Sequence, residues 1–348
     1  MKKMLCLVSL VVLVLGMTVN ASAAERFKIA WSHYTGWEPW EYARHAGILE
    51  KWAKKYNIEI ELSKPLDYVQ SINQFTSGVY HGCVMTNMDA LINPAVGGID
   101  CTLLIPGDTS NGNDGVVTKS EDKISQLKGK QVTLVIYTVS HYLLSRALSM
   151  NGLKESEVKL LNITDESKIA GVFASDPKSI MVTWNPILME IRNMKGSKMI
   201  FDSSQIPGEI MDLMVVRTGV PDSLKRALTG AWFETLSVMQ KRDEAGKKAI
   251  AYMAKFAGGT VAEFEAQLKT TAMFYTPSDA VAFATNEKLK KTMDYVRSFG
   301  FERGLLKGSK TKDGIGIQFP DGSTMGDPKN VKIRFDANYI KLAADGKL

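Results

Sequence analysis

The feature that most narrows the fold is an alternation of short apolar runs with segments of helical period, sustained from residue 26 to about residue 216. Residues 27–31 read as a strand, followed by a polar loop and a helix whose first turn accepts Pro39. Tyr42, Ala46, Leu49, Ala53 and Tyr56 fall on one face of a 3.6-residue period, which predicts one helix packed on a sheet. Ile58, Ile60 and Leu62 alternate with charged residues, the mark of a half-buried strand. A helix over 68–75 stopped by Gly78, a strand over 83–86 and another over 101–105 repeat the unit. From Gly129 the same order returns. A strand over 131–137 precedes a helix N-capped by Ser140, with Leu143, Leu144, Ala147 and Leu148 inward and Gly152 past its end. Apolar runs at 158–163, 180–183, 199–201 and 213–216 continue the pattern, and helices over 224–240, 245–256, 261–269 and 280–299 follow. This alternation predicts an α/β chain with parallel sheets covered on both faces.

The N-terminus reads as a cleaved export signal over residues 1–23: Lys2 and Lys3, an apolar run to Val19, and a small-residue Ala21-Ser22-Ala23 site. That run, about 16 residues, is short for a bilayer span of roughly 20. Cys6 lies too early and lacks the small-residue context of a lipidated terminus. Removing 23 of 348 residues leaves 325, beyond the size at which one core stops growing, so two lobes are expected. No low-complexity linker separates them. The chain is therefore divided into a first lobe from 24–115 and 216–348, with a second lobe, 116–215, inserted and two crossings beside the ligand. The formal charge of +6 drops to +4 without Lys2 and Lys3, and interspersed signs leave no nucleic-acid footprint. Of three cysteines only Cys83 and Cys101 remain, which excludes a disulfide scaffold but leaves one bridge or two buried thiols open.

Ligands of open parallel sheets lie beyond the carboxyl ends of strands, and here those loops are rich in acids and aromatics. The candidates for ligand contact are Trp37, Glu38, Asp89, Asp114, Ser140, His141, Trp184, Glu209 and Asp212. Segment 106–114 reads as a polar loop in which Asp108 is a turn former bonded to its own backbone. Trp31, Trp40 and Trp52 are assigned to the core. The four histidines show no metal spacing. No nucleophile elbow, zinc helix motif, phosphate loop or dinucleotide fingerprint occurs, and neither Cys83 nor Cys101 has a base beside it. The chain is accordingly read as a binding protein and not an enzyme, with no cofactor and no metal.

The W-x-x-Y-x-x-W-x-x-W loop over 31–40, Asn87-Met88-Asp89-Ala90-Leu91 and Val139-Ser140-His141-Tyr142-Leu143-Leu144 resemble periplasmic binding proteins related to alkanesulfonate, taurine and thiamine-pyrimidine receptors. That resemblance implies a type II periplasmic-binding fold, with two Rossmann-like lobes and a ligand cleft between them. It also implies a monomeric, periplasmic receptor that serves an ABC permease and its ATPase. More narrowly, Ser110-Asn111-Gly112-Asn113-Asp114-Gly115, Thr183-Trp184-Asn185-Pro186 and Ile206-Pro207-Gly208-Glu209-Ile210 resemble urea transporters that accompany urea carboxylase-type enzymes, now associated with guanidine breakdown. Urea or guanidine is the implied solute. An anion would call for arginines and the bare amides of a helix N-terminus such as that at Ser140. The expected mouth has Glu38, Asp89, Asp114, Glu209 and Asp212 instead, with no arginine in the same loops. Guanidinium presents forked donors to carboxylates and a flat face to indole, whereas neutral urea leaves acids unpaired. Guanidine is favoured and urea comes next. The alternatives are a receptor for a sulfonate, taurine or a thiamine-pyrimidine precursor, a synthase-like enzyme on the same fold, and a sensor.

Overall fold

The structure is a computed structural model describing residues 24–241 and 243–348, so the export-signal segment lies outside the described residues. In chain order the strands are β1 (Glu25–Ala30), β2 (Ile58–Leu62), β3 (Gly82–Thr86), β4 (Cys101–Ser110), β5 (Asp114–Thr118), β6 (Gln131–Leu134) and β7 (Lys159–Asn162). They continue with β8 (Ile180–Trp184), β9 (Lys198–Asp202), β10 (Met211–Arg217), β11 (Thr271–Met273), β12 (Gly316–Gln318), β13 (Thr324–Met325) and β14 (Val331–Phe335). One sheet has the order β13-β12-β14-β4-β10-β3-β1-β2, with β11 added to β4, and the other has β7-β6-β8-β5-β9. The fold is α/β with two lobes.

Neither sheet is wholly parallel. β1 is parallel to β2 and β3, and β14 to β4, but β10 runs against both β3 and β4. In the small sheet β5 runs against β8 and β9. β11 against β4 and β13 against β12 are further antiparallel pairs. β5 and β10 are the strands that carry the chain between lobes, and a chain re-entering a sheet from the cleft side starts where its neighbours end and must run the other way. The crossings join Ser110 to Asp114 and Asp202 to Met211. The expected boundaries at 115/116 and 215/216 thus fall inside β5 and β10.

Several local expectations need correction. β4 extends through Ser110, because Asp108, Thr109 and Ser110 pair with β11 on one side, and on the other Asp108 and Thr109 pair with β10 while the Ser110 N–H donates to the Ile210 carbonyl; residues 106–110 are strand and not loop. The helix expected across 42–56 is two, Glu38–His45 and Ile48–Lys55, broken where Gly47 takes φ +72°. The 131–137 strand stops at Leu134, and the following helix, Val139–Met150, has Thr138 and not Ser140 at its N-cap. The 280–299 helix is Pro277–Ala284 followed by Lys288–Glu302.

Trp31 and Trp40 are fully buried, Trp40 stacking on Trp232 with ring centroids 4.9 Å apart. Trp52 is only partly buried, its indole N–H donating to Glu234 at 2.7 Å. Cys83 and Cys101 are separate buried thiols. Among the described residues no helix is long and apolar enough to cross a membrane.

The lobes are in contact along one flank. The Phe299 ring meets His141 and Tyr142 edge-on at 5.3 and 5.5 Å, and Arg303 bonds Glu155 and, at 2.7 Å, Ser145 Oγ. On another side the Tyr68 backbone N–H donates to Glu166 Oε1 at 3.2 Å.

Candidate functional site

A cavity between the lobes is walled by Tyr34, Trp37, Tyr68 and Trp184, floored by Thr86 and Val139, and given its charge by Asp114 and Asp212. Its free volume is about 20 Å³, little more than the roughly 10–15 Å³ one water needs. Tyr34 and Trp37 come from the loop after β1, which a Trp37 N–H to Tyr34 carbonyl bond of 2.8 Å turns back on itself. That loop presses on β4 because residue 36 is glycine: a Cβ there would come within 2.2 Å of Asp108 Oδ2. Asp114 opens β5 directly opposite Trp184 at the end of β8. The rings form a chain across the cleft, Tyr34 to Trp37 at 5.0 Å, Trp37 to Tyr68 at 5.6 Å and Tyr68 to Trp184 at 5.7 Å.

Four buried aspartates surround this cavity. Asp114 accepts from Ser110 Oγ at 2.6 Å through Oδ2, while its Oδ1 has no partner. Asp212 Oδ2 is likewise unpartnered. Asp108 accepts from the Tyr34 hydroxyl at 3.0 Å and leaves Oδ2 unpartnered. Burial pushes Asp114 and Asp108 up to about 7 and holds Asp212 well above the usual carboxylate range. Asp89 stands one layer behind, accepting from Tyr68 Oη at 2.7 Å, Thr86 Oγ1 at 2.8 Å and the backbone N–H of Val139. Burial lifts it less, to about 6, because those donors favour its charge. Among the described residues no Lys, Arg or His forms an ion pair with any of the four, and no group of three His, Cys, Asp or Glu is arranged to hold a metal. An unpaired buried carboxylate is costly, so the arrangement is suited to meeting positive or donor-rich matter.

Of the nine expected residues, Trp37, Asp114, Trp184 and Asp212 line the cavity, Asp89 backs it, and Ser140 sits beside Val139 with its buried hydroxyl unpartnered. Three are drawn elsewhere. Glu38 bonds His33 Nδ1 at 2.7 Å, and burial raises its carboxyl against the pull of that imidazole. His141 has Nε2 3.1 Å from Glu155 and accepts the Tyr137 N–H at Nδ1. Glu209 is clamped by Arg146 at 2.7 and 2.9 Å and by Tyr142 Oη at 2.6 Å. The loops carry no arginine, but Arg146 reaches the mouth from the Val139–Met150 helix, a turn beyond them, and is consumed by Glu209. Tyr34, Tyr68 and Asp108 are the residues around the cavity that the sequence reading missed. The signal for Asp108 was its place six residues before Asp114 in one polar run; it was obscured by Pro106 and Gly107, which made a loop more plausible than a strand.

No protein-family model and no curated protein matches the sequence. Solved structures do. The alkanesulfonate-binding protein SsuA of Xanthomonas axonopodis pv. citri, bound to MOPS, aligns with TM-score 0.66 at 14% identity over 82% of this chain and 96% of its own. The periplasmic aliphatic sulphonate binding protein SsuA of Escherichia coli gives 0.67 at 14% over 83% and 95%. A Candida albicans gene product with the generic periplasmic binding protein fold gives 0.58 at 16% over 82% and 96%. The chain has the periplasmic-binding-protein fold. At these identities the likeness speaks for architecture alone.

Proposed function

We propose that this protein is the periplasmic solute-binding component of an ABC importer and that it captures a small flat cation, guanidinium in first place, for delivery to a membrane permease and its ATPase. The observation that carries the reading is the pair of unpartnered oxygens, Asp114 Oδ1 and Asp212 Oδ2, lining a cavity with no basic side chain. Forked N–H donors match carboxylate oxygens, and the neighbouring indoles of Trp37 and Trp184 offer faces to a planar cation. One feature argues against a sulfonate: the Val139 amide, at the helix start that would otherwise greet an anion, already serves Asp89.

Urea is the second reading, favoured by one atom: the buried Trp37 indole N–H has no acceptor, and a carbonyl would supply one. At a ceiling of about 1.5 kcal/mol per heavy atom, a four-atom solute gains roughly 6 kcal/mol, a dissociation constant in the tens of micromolar. Capture proceeds by closure about the two crossings, with the solute bridging Asp114 of one sheet and Asp212 of the other. Isothermal calorimetry with guanidinium, urea and taurine tests the proposal. Saturable binding of guanidinium, weaker urea and no taurine is expected; taurine binding tightest would overturn it.

A further inference from the structure

We propose that Asp108, which lies behind the cavity, sets the charge selectivity of the site by sharing one proton with Asp212, and that a bound cation expels this proton to solvent. The inference rests on the cation reading and deepens it. Register builds the pair: Asp212 in β10 is the direct cross-strand partner of Asp108 in β4. Residues so opposed point to one face with Cβ atoms about 4.5–5.5 Å apart. Both are buried, and each has an oxygen to which nothing in the fold donates. Two carboxyl groups in contact bond to one another only when one of them carries a proton, and without a counter-ion the singly protonated pair is the stable form.

The groups facing the pair are Tyr34 from the loop after β1, Asp114 from β5 and Tyr275 beyond β11; each is a neutral hydroxyl or another acid. Tyr34 fixes which partner carries the charge. Its hydroxyl donates to Asp108 at 3.0 Å and itself accepts from Asn113 Nδ2 at 3.0 Å, so the ionised form of Asp108 is favoured and the proton rests on Asp212.

The empty site therefore offers a neutral Asp212 beside Asp114. A cation seated against both favours ionised Asp212, and the proton leaves as the cation arrives, keeping the buried charge constant. A neutral solute leaves the proton in place. Asp108 acts through Asp212 and is a positioning residue, so the decisive readout is a proton count.

The experiment is calorimetry of guanidinium chloride binding at pH 8 in two buffers of different ionisation heat, on the purified protein and on Asp108→Asn. Asp114, at about 7, is already ionised at that pH, so a released proton reports the pair. We expect about one proton released per guanidinium in the unmodified protein and clearly fewer in Asp108→Asn, where Asp212 stays buried but no longer faces that like charge. Guanidinium bound by the unmodified protein without proton release overturns the proposal, whether or not the variant folds. Proton release unchanged in a weakly binding Asp108→Asn overturns it as well, since that is the signature of a merely structural role. If guanidinium gives no heat with the unmodified protein, the cation reading itself falls.

Discussion

Replacing Asp114 by Asn should make the empty protein more stable and a worse receptor. Asp114 is an acid that ionises near 3.8 in an unfolded chain and at about 7 in the fold. As the pH rises through that window the unfolded chain loses its proton first, so folding is penalised progressively and the penalty is complete above pH 7. At 1.36 kcal/mol per pH unit, the gap amounts to roughly 4 kcal/mol. Asn keeps the shape and can still accept from Ser110, so most of this returns. For a chain of this size about 2 °C per kcal/mol is a fair conversion, giving an increase of about 3–8 °C in Tm at pH 8. At pH 4 the carboxyl is protonated in the fold and half protonated when unfolded, so the difference should nearly vanish. In binding, one charge-assisted hydrogen bond of about 1.5–3 kcal/mol is lost, which is roughly 10- to 150-fold in Kd for guanidinium. Scanning calorimetry at the two pH values and titration calorimetry at pH 8 check both halves. A variant that is less stable at pH 8, or that binds guanidinium as well as the parent, would refute the reasoning.

Arg303→Ala removes the Glu155 and Ser145 contacts between the lobes; it should weaken guanidinium about 3- to 10-fold through faster release, seen by stopped-flow quenching of Trp37 and Trp184, although it touches no solute. Gly36→Ala sets a methyl 2.2 Å from Asp108 Oδ2; the displaced loop should carry Tyr34 and Trp37 away and weaken binding at least tenfold, with a Tm loss from about 1–3 kcal/mol of overpacking. Burial pushes the Cys83 and Cys101 thiols up to about 12; a thiol reagent at pH 8 should label neither in the native protein and both after urea unfolding.

Most of the strand and helix order was legible because buried elements announce themselves by period: Ile58, Ile60 and Leu62 for β2, and Leu143, Leu144, Ala147 and Leu148 for the helix behind the cavity. The failures occur where tertiary demands override local pattern. The apolar face from Tyr42 to Tyr56 is continuous in sequence, yet Gly47 lets the backbone turn between its halves. Residues 106–110 carry the composition of a loop, and they are a strand because β10 and β11 satisfy their amides on both edges. The same limit governs the site. Asp114, Asp212, Trp37 and Trp184 could be placed because they flank strand ends, whereas Glu209 resembled them in every local respect and differs only in having Arg146 within reach. The pairing of Asp108 with Asp212 joins residues 104 apart, and no window along the chain reveals a register of that span.

The acids of the site lie within a few residues of the two segments that carry the chain between the sheets, which the proposed closure makes its pivots, Asp108 and Asp114 flanking one and Asp212 just past the other. In a receptor so made, the grip and the joint are the same few centimetres of rope: altering what is held also alters how freely the jaws swing. Descendants with a different cargo would then show changed opening and shutting rates from the same substitutions, and specificity could not be exchanged without retuning the motion.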